Sequence, residues 1–147
     1  MFKNILVAID GSHTSELALQ EAIKLARELH SHLRVVHVVD EVSLNWSEGG
    51  DLDTMIESFR KAGSEILAKA EEQLRKAGVS AETRLLEIST LGEHIAEMIA
   101  NEAALWPADL IIIGTHGRRG VSRLLLGSVA ENIARVSPAP VLLIRGA

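Results

Sequence analysis

A stretch near the end of the chain has residue types and a spacing suited to binding an anion. The spacing is G-x2-G-x9-G-S, formed by Gly114, Gly117, Gly127 and Ser128. An apolar run over 110–113 precedes the stretch and a helical pattern follows it, which predicts strand, loop and helix. Glycine lets the main chain approach a ligand closely, and a helix start offers unpaired N–H groups and a partial positive charge. The pattern therefore predicts a phosphate-binding loop.

The charge of this loop is opposite to that of the whole chain. Residues 114–123 include three arginines and no acid, whereas the formal net charge of the chain is −5. The sequence has neither the G-x-x-x-x-G-K-[ST] motif of P-loop nucleotidases nor a G-x-G-x-x-G fingerprint after its first apolar run. The loop thus favours an anion without belonging to either of these two common nucleotide-binding classes.

Short apolar runs alternate with longer amphipathic patterns along the chain. The predicted strands cover 5–9, 33–39, 79–88, 110–113 and 141–144. Four helical patterns lie between them, the last over roughly 125–136, and residues 40–53 are predicted to form a loop. An apolar stripe that starts at Phe59 in the second helix is predicted to be core. Five strands separated by four helices predict an α/β fold, a doubly wound parallel sheet with helices on both faces.

Composition limits the classes of protein to be considered. The 147 residues fit a single domain over 1–147, and the absence of cysteine excludes disulfides and thiolate chemistry. A mildly acidic chain argues against nucleic-acid binding. No apolar run approaches the roughly 18 residues of a membrane span, and the N-terminus lacks a signal-peptide pattern. We therefore expect a cytoplasmic protein without a membrane or nucleic-acid partner.

Four segments together resemble the universal stress protein family, specifically its ATP-binding type. They are residues 3–12, 37–39, 114–132 and 137–144, and the likeness covers essentially the full length. The resemblance implies a Rossmann-like five-stranded parallel sheet in the order 3-2-1-4-5. That order places strands 1 and 4 side by side, so the loop at Asp10 and the loop at Gly114 meet at one crevice.

The resemblance also implies a ligand, ATP accompanied by Mg2+, and residues that contact it. Asp10 should lie near the ribose or adenine, the Val38 main chain at the adenine edge, and Gly114 near the ribose. The phosphates should be held mainly by main-chain N–H groups of Gly117, Gly127, Ser128 and Val129. No metal site formed by side chains is predicted, because magnesium is held mostly by phosphate and water.

Several of these residues have an alternative structural role. Asp10 and Ser128 are also residue types that cap helices. His37 lies in an apolar strand and is predicted to be a hydrogen-bonded core residue rather than a ligand. No catalytic residue is assigned, since the loop lacks a lysine and a poised base is not evident. A binding module with little or no turnover is favoured over a slow ATP hydrolase or phosphotransferase, and over a nucleotide-free interaction module.

The last predicted strand suggests how two copies associate. In the order 3-2-1-4-5, strands 3 and 5 are the edges of the sheet. Strand 3 carries Glu82, Arg84 and Glu87, whereas strand 5 is the uncharged run Val141, Leu142, Leu143 and Ile144. Because uncharged edges invite pairing, we expect a homodimer through strand 5. A further protein partner is left open.

Overall fold

Five parallel strands form one sheet, with helices on both faces. The computed structural model describes residues 2–40, 52–88, 94–116 and 126–146. The strands are β1 (Asn4–Ala8), β2 (His32–Asp40), β3 (Ser80–Ile88), β4 (Leu110–Gly114) and β5 (Val141–Ile144). The helices are α1 (His13–Leu29), α2 (Leu52–Ala77), α3 (Ile95–Leu105) and α4 (Ser128–Val136). The strand order is β3-β2-β1-β4-β5, which confirms the predicted fold and topology.

The sheet is wound outward in two directions from its centre. The chain passes from β1 to β2 and β3 on one side, and then returns to place β4 and β5 on the other. β1 and β4 are direct neighbours, with Ala8 opposite Ile113 near their carboxyl ends. At such a switch point the following loops diverge to opposite faces and leave a crevice, the usual ligand position in this architecture.

Alternate side chains of the central strands fill two core layers. Ile5, Val7 and Ile112 pack with α1 and α2 on one face of the sheet. Leu6 and Ile111 pack with α3 and α4 on the other face. All five are fully buried, which explains why these strands are continuous apolar runs rather than alternating ones. None of the described helices is long and apolar enough to span a bilayer.

Two helix starts and one core assignment differ from the sequence-based expectation. α4 begins at Ser128 rather than near 125, because Gly127 has an extended conformation and acts as its N-cap. α2 begins at Leu52, inside the predicted loop 40–53; residues 41–51 lie outside the described part. The α2 stripe is buried at its carboxyl-terminal half, but Phe59 is 45% exposed, so its assignment to the core is wrong.

An ion-pair network holds α3 onto β2 and β3. The Arg34 guanidinium contacts Glu102 of α3 at 2.7 Å and Glu82 of β3 at 2.9 Å, and it lies 4.8 Å from the ring centre of Trp106. Glu102 is only 5% exposed. The hydrogen bond from Arg34 lowers the pKa of Glu82, so this carboxylate keeps its charge to lower pH than a free one.

Gly114, at the end of β4, is needed because α1 approaches it closely. A Cβ at this position would lie 2.7 Å from Cγ2 of Thr14 and 3.2 Å from the Thr14 main-chain carbon and oxygen. Any side chain here would push α1 away from the carboxyl end of β4. This contact fixes the distance between the start of α1 and the crevice.

Removing the buried carboxylate of the network should destabilise the fold. We expect Glu102→Ala to lower the free energy of unfolding by about 2–3 kcal/mol, since Arg34 retains only Glu82 in a partly buried position. The matched control is Glu131→Ala, which removes an exposed partner of Arg135 at 2.9 Å. This control should cost less than about 1 kcal/mol in urea denaturation. Equal losses in the two variants would contradict the assignment.

A methyl group at Gly114 should be costly in a way that depends on Thr14. We expect Gly114→Ala to lower the free energy of unfolding by about 1–3 kcal/mol through overpacking. Thr14→Ser removes Cγ2 and should recover part of that loss in the double variant, with Thr14→Ser alone as the control. Strictly additive effects in the double-mutant cycle would show that the two residues are not in contact.

Candidate functional site

A cavity of ≈ 370 Å³ opens at the carboxyl edge of the sheet, where β1 and β4 lie side by side. Its walls come from the ends of β1, β2 and β4, from α2 and α3, and from the start of α4. The volume lies within the range of small-molecule sites. Ile95 and Ile99 of α3 and Ile113 of β4 make one part apolar, whereas Thr115, His116 and Ser128 make another part polar.

The turn after β1 is built around Asp10. The Asp10 carboxylate accepts a hydrogen bond from the Ser12 N–H at 2.9 Å, and the Asp10 N–H donates to Ser15 Oγ at 3.2 Å. The N-cap of α1 is Ser12, whose hydroxyl accepts from the Ser15 N–H at 3.2 Å. Asp10 therefore shapes the turn without being the cap itself, and it also lines the cavity.

The end of β2 contributes His37 and Val38. The Nδ1 atom of His37 lies 2.8 Å from the carbonyl oxygen of Ile9, and because a carbonyl only accepts, this nitrogen donates. The prediction that His37 is hydrogen-bonded is confirmed, but its ring is half-buried and lines the cavity. Val38 lines it as well. The bond joins the ends of β1 and β2, and so it stabilises this wall.

The start of α4 is attached to the end of β4 by one main-chain hydrogen bond. The Gly127 N–H donates to the carbonyl oxygen of Thr115 at 2.7 Å, and a Cβ on Gly127 would lie 2.8 Å from that oxygen. Its φ of −64° is open to any residue. Glycine is needed here for close approach, and its own N–H is engaged within the protein.

The next three N–H groups belong to Ser128, Val129 and Ala130, and all three residues line the cavity. The first intrahelical bond of α4 runs from the Glu131 N–H to the Gly127 carbonyl at 2.9 Å. The preceding N–H groups of a helix have no intrahelical acceptor, and the N-cap residue Gly127 has no side chain that could accept from them. The helix start therefore presents donors and partial positive charge to the cavity.

The structure brings most of the predicted site residues to this one cavity. The predicted residues that line it are Asp10, Val38, Gly114, Gly127, Ser128 and Val129. Gly117 lies outside the described residues, as do the three arginines of the loop. Sequence reasoning missed Thr115, Ala130 and Phe59 as cavity residues. Thr115 and Ala130 are sequence neighbours of predicted site residues. Phe59 was missed because its helical spacing predicted a core position.

The described ranges contain no group of three or more histidine, aspartate or glutamate side chains arranged to hold a metal ion. The polar lining of the cavity combines hydroxyl groups, the side chains of Asp10, His37, Asp40 and His116, and the main-chain donors at the start of α4. These donors are suited to binding an anion directly.

Comparisons with known proteins agree with this architecture. A family model described as the universal stress protein family matches residues 1–145. Universal stress protein YxiE of Bacillus subtilis is 35% identical over 153 residues, covering 99% of this chain and 100% of that protein.

Two solved universal stress proteins are complexes with adenine nucleotides. The Archaeoglobus fulgidus protein in complex with dAMP has a TM-score of 0.67 and 27% identity, covering 97% of this chain and 98% of that one. A universal stress protein in complex with cAMP has a TM-score of 0.73 and 25% identity, covering 99% of both chains. From the family match and the full-length relative, we conclude that this chain belongs to the universal stress protein family.

Proposed function

We propose that this protein binds an adenine nucleotide, ATP with Mg2+, in the cavity at the carboxyl edge of the sheet. The observation that carries the proposal is the start of α4, whose first residues, Ser128 to Ala130, line a cavity that is otherwise largely apolar and carry N–H groups without an intrahelical acceptor. Helix donors suit phosphate, and apolar walls suit a nucleobase. The solved relatives with dAMP and cAMP support the same ligand class.

We further propose that the protein acts as a stress-response or signalling module with little or no turnover. Phosphoryl transfer needs a base near the γ-phosphate and a fixed cation. The four titratable side chains that line the cavity, Asp10, His37, Asp40 and His116, already have partners within the protein. The Asp10 carboxylate accepts from the Ser12 N–H, and Nδ1 of His116 lies 3.1 Å from Oγ1 of Thr115. Magnesium would be held by phosphate oxygens and water, while the chain binds the phosphates through N–H groups.

The ligand class is tested by recovering and by adding nucleotide. Mass spectrometry of small molecules released from freshly purified, denatured protein should detect an adenine nucleotide. In calorimetric titrations, ATP should bind more tightly than GTP, and magnesium should help ATP more than AMP. GTP binding as tightly as ATP would contradict adenine recognition, and complete ATP hydrolysis overnight would contradict the binding-module proposal.

The contacts proposed for Gly117 and the cytoplasmic location remain predictions.

Two variants of Ser128 separate its hydroxyl from its main-chain donor. Ser128→Ala should raise the Kd for ATP by about 5- to 30-fold, the effect of one lost hydrogen bond to a charged group. Ser128→Pro also removes the N–H and should raise the Kd by roughly a further tenfold. Proline suits this first helical position, and Gly127 has φ −64° and ψ 153°, which a following proline tolerates.

The ligand-free melting temperatures of both Ser128 variants serve as the control for folding. Equal ATP affinities of Ser128→Ala and Ser128→Pro, in variants that melt like the parent, would rule out a phosphate contact by this N–H group.

The homodimer through β5 is also part of the proposal. β5 lies at an edge of the sheet, where Ile111 N–H and Thr115 N–H donate to Pro140 and Ile144 at 2.9 Å each. Main-chain groups alternate along a strand, so those of Val141 and Leu143 point away from β4. Two such edges pair about a two-fold axis without disturbing either sheet. A further protein partner remains unspecified.

Removing one outward donor should weaken the dimer and leave the sheet intact. We expect Val141→Pro to shift the mass measured by light scattering from dimer toward monomer, because proline has no N–H to pair across the axis. Val141→Ala is the matched control, since it loses side-chain packing but keeps the donor. A monomeric parent at tens of micromolar, or a fully dimeric Val141→Pro variant, would refute the β5 interface.

A further inference from the structure

An exposed aromatic ring lines the cavity. The chain has two phenylalanines, two tryptophans and no tyrosine. Phe2 packs against the core, but Phe59 of α2 is 45% exposed and lines the cavity. Other positions of the same helix face, including Leu67, Ala70 and Leu74, are buried. Phe59 is therefore an apolar side chain that the fold leaves partly uncovered at a ligand-sized opening.

The small residue one turn further along α2 brings this helix close to the sheet. A Cβ on Gly63 would lie 2.9 Å from Cδ2 of His37 and 3.2 Å from Cγ2 of Val39. Glycine inside a helix costs about 1 kcal/mol relative to alanine, and here it permits this approach. The result is that α2 stays near β2 at the level of the cavity, with Phe59 one turn nearer the carboxyl edge.

The direction of the Phe59 side chain follows from the direction of its helix. α2 returns from the end of β2, so its N-terminal end lies at the carboxyl edge of the sheet. Helical side chains tilt toward the N-terminus, which directs Phe59 toward that edge and away from Gly63.

The adjacent residue anchors this turn of α2. Arg60 Nε donates to Oε1 of Glu87 at 2.6 Å, and its Nη2 donates to Oε2 of the same carboxylate at 3.3 Å. Glu87 lies on β3, opposite Val39 of β2. The bidentate pair holds the Phe59 turn against the sheet, so the ring is presented from a fixed backbone.

We propose that Phe59 stacks on the base of the bound nucleotide and forms one wall of its binding slot. The inference rests on the proposed nucleotide function and identifies a residue that sets affinity. Ile95 and Ile99 of α3 line the same cavity and supply apolar surface for the base. Stacking on an aromatic ring is tolerant of base identity, because every base has a π-face. Phe59 thus sets how tightly a base is held, and groups at the base edge set which base is preferred.

The test compares ligands with and without a base by calorimetry. Phe59→Ala should raise the Kd for ATP by about 5- to 50-fold, and the Kd for GTP by a similar factor. Inorganic tripolyphosphate has no base, so its affinity, measured by competition if weak, should change less than twofold. Phe59→Leu should give an intermediate loss, since it keeps apolar area without a π-face. Phe59→Trp should bind ATP within about threefold of the parent and show additional tryptophan quenching.

The matched control is Leu29→Ala, which truncates an apolar side chain of similar exposure, 44%, at the end of α1. Leu29 is not a cavity residue, so its variant should bind ATP within twofold of the parent. Melting temperatures of the ligand-free proteins verify that all variants are folded.

The possible results distinguish the inference from the function on which it rests. A parent protein that binds no nucleotide overturns the proposed function and the stacking role with it. A parent that binds ATP, with Phe59→Ala binding it within twofold, overturns stacking alone. Equal losses for ATP and tripolyphosphate in Phe59→Ala also overturn stacking, because they indicate a distorted cavity.

Discussion

The parallel pairing of β1 with β4 creates the crevice on which the rest of the site depends. Ile5 to Ala8 pair with Leu110 to Ile113, and all of these side chains are buried. The chain leaves β1 toward α1 on one face, and it leaves β4 toward the face that carries α3 and α4. This divergence opens space beyond the two carboxyl ends. Without that pairing, Asp10 and the start of α4 would not line the same cavity.

Close main-chain packing maintains the shape of the crevice. Thr115 is buried, and its N–H donates to Ile144 of β5 while its carbonyl accepts from Gly127. These bonds attach the start of α4 to the sheet, where its first residues line the cavity. Gly127 packs closely against Thr115, Gly114 against Thr14, and Gly63 of α2 against His37. These three glycines permit close contacts between elements, and so the walls are held before any ligand arrives.

The two ends of the sheet have different chemistry. The amino-terminal half of β2 and β3 carries the Arg34 network, in which Glu82 and Glu102 neutralise a guanidinium that also stacks on Trp106. That network holds α3 on the sheet. The carboxyl-terminal end instead combines apolar walls with hydroxyl, carboxylate and imidazole side chains and with the first N–H groups of α4. The Arg60–Glu87 ion pair between α2 and β3 also lies at this end, and the start of α4 adds partial positive charge.

The sequence alone determined the strands, their parallel pairing and the position of the site. Buried parallel strands are continuous apolar runs, and the family-like segments at 3–12 and 114–132 imply the order in which they pair. Both features are read from short segments of the chain, so they can be recognised without knowing the three-dimensional structure. The resemblance to the family also pointed to Asp10, Val38 and Ser128, which line the cavity.

Only the tertiary structure decided which of the remaining residues face the cavity. The spacing of Phe59 matches that of Leu67 and Leu74, yet Phe59 lines the cavity and is 45% exposed, whereas the later positions are buried. Helical periodicity specifies a face of the helix and not which turns of that face the fold covers. The start of α4 likewise depends on the bond from Gly127 to Thr115, a contact between two loops. Such contacts depend on distances between elements, which a linear pattern of residue types does not contain.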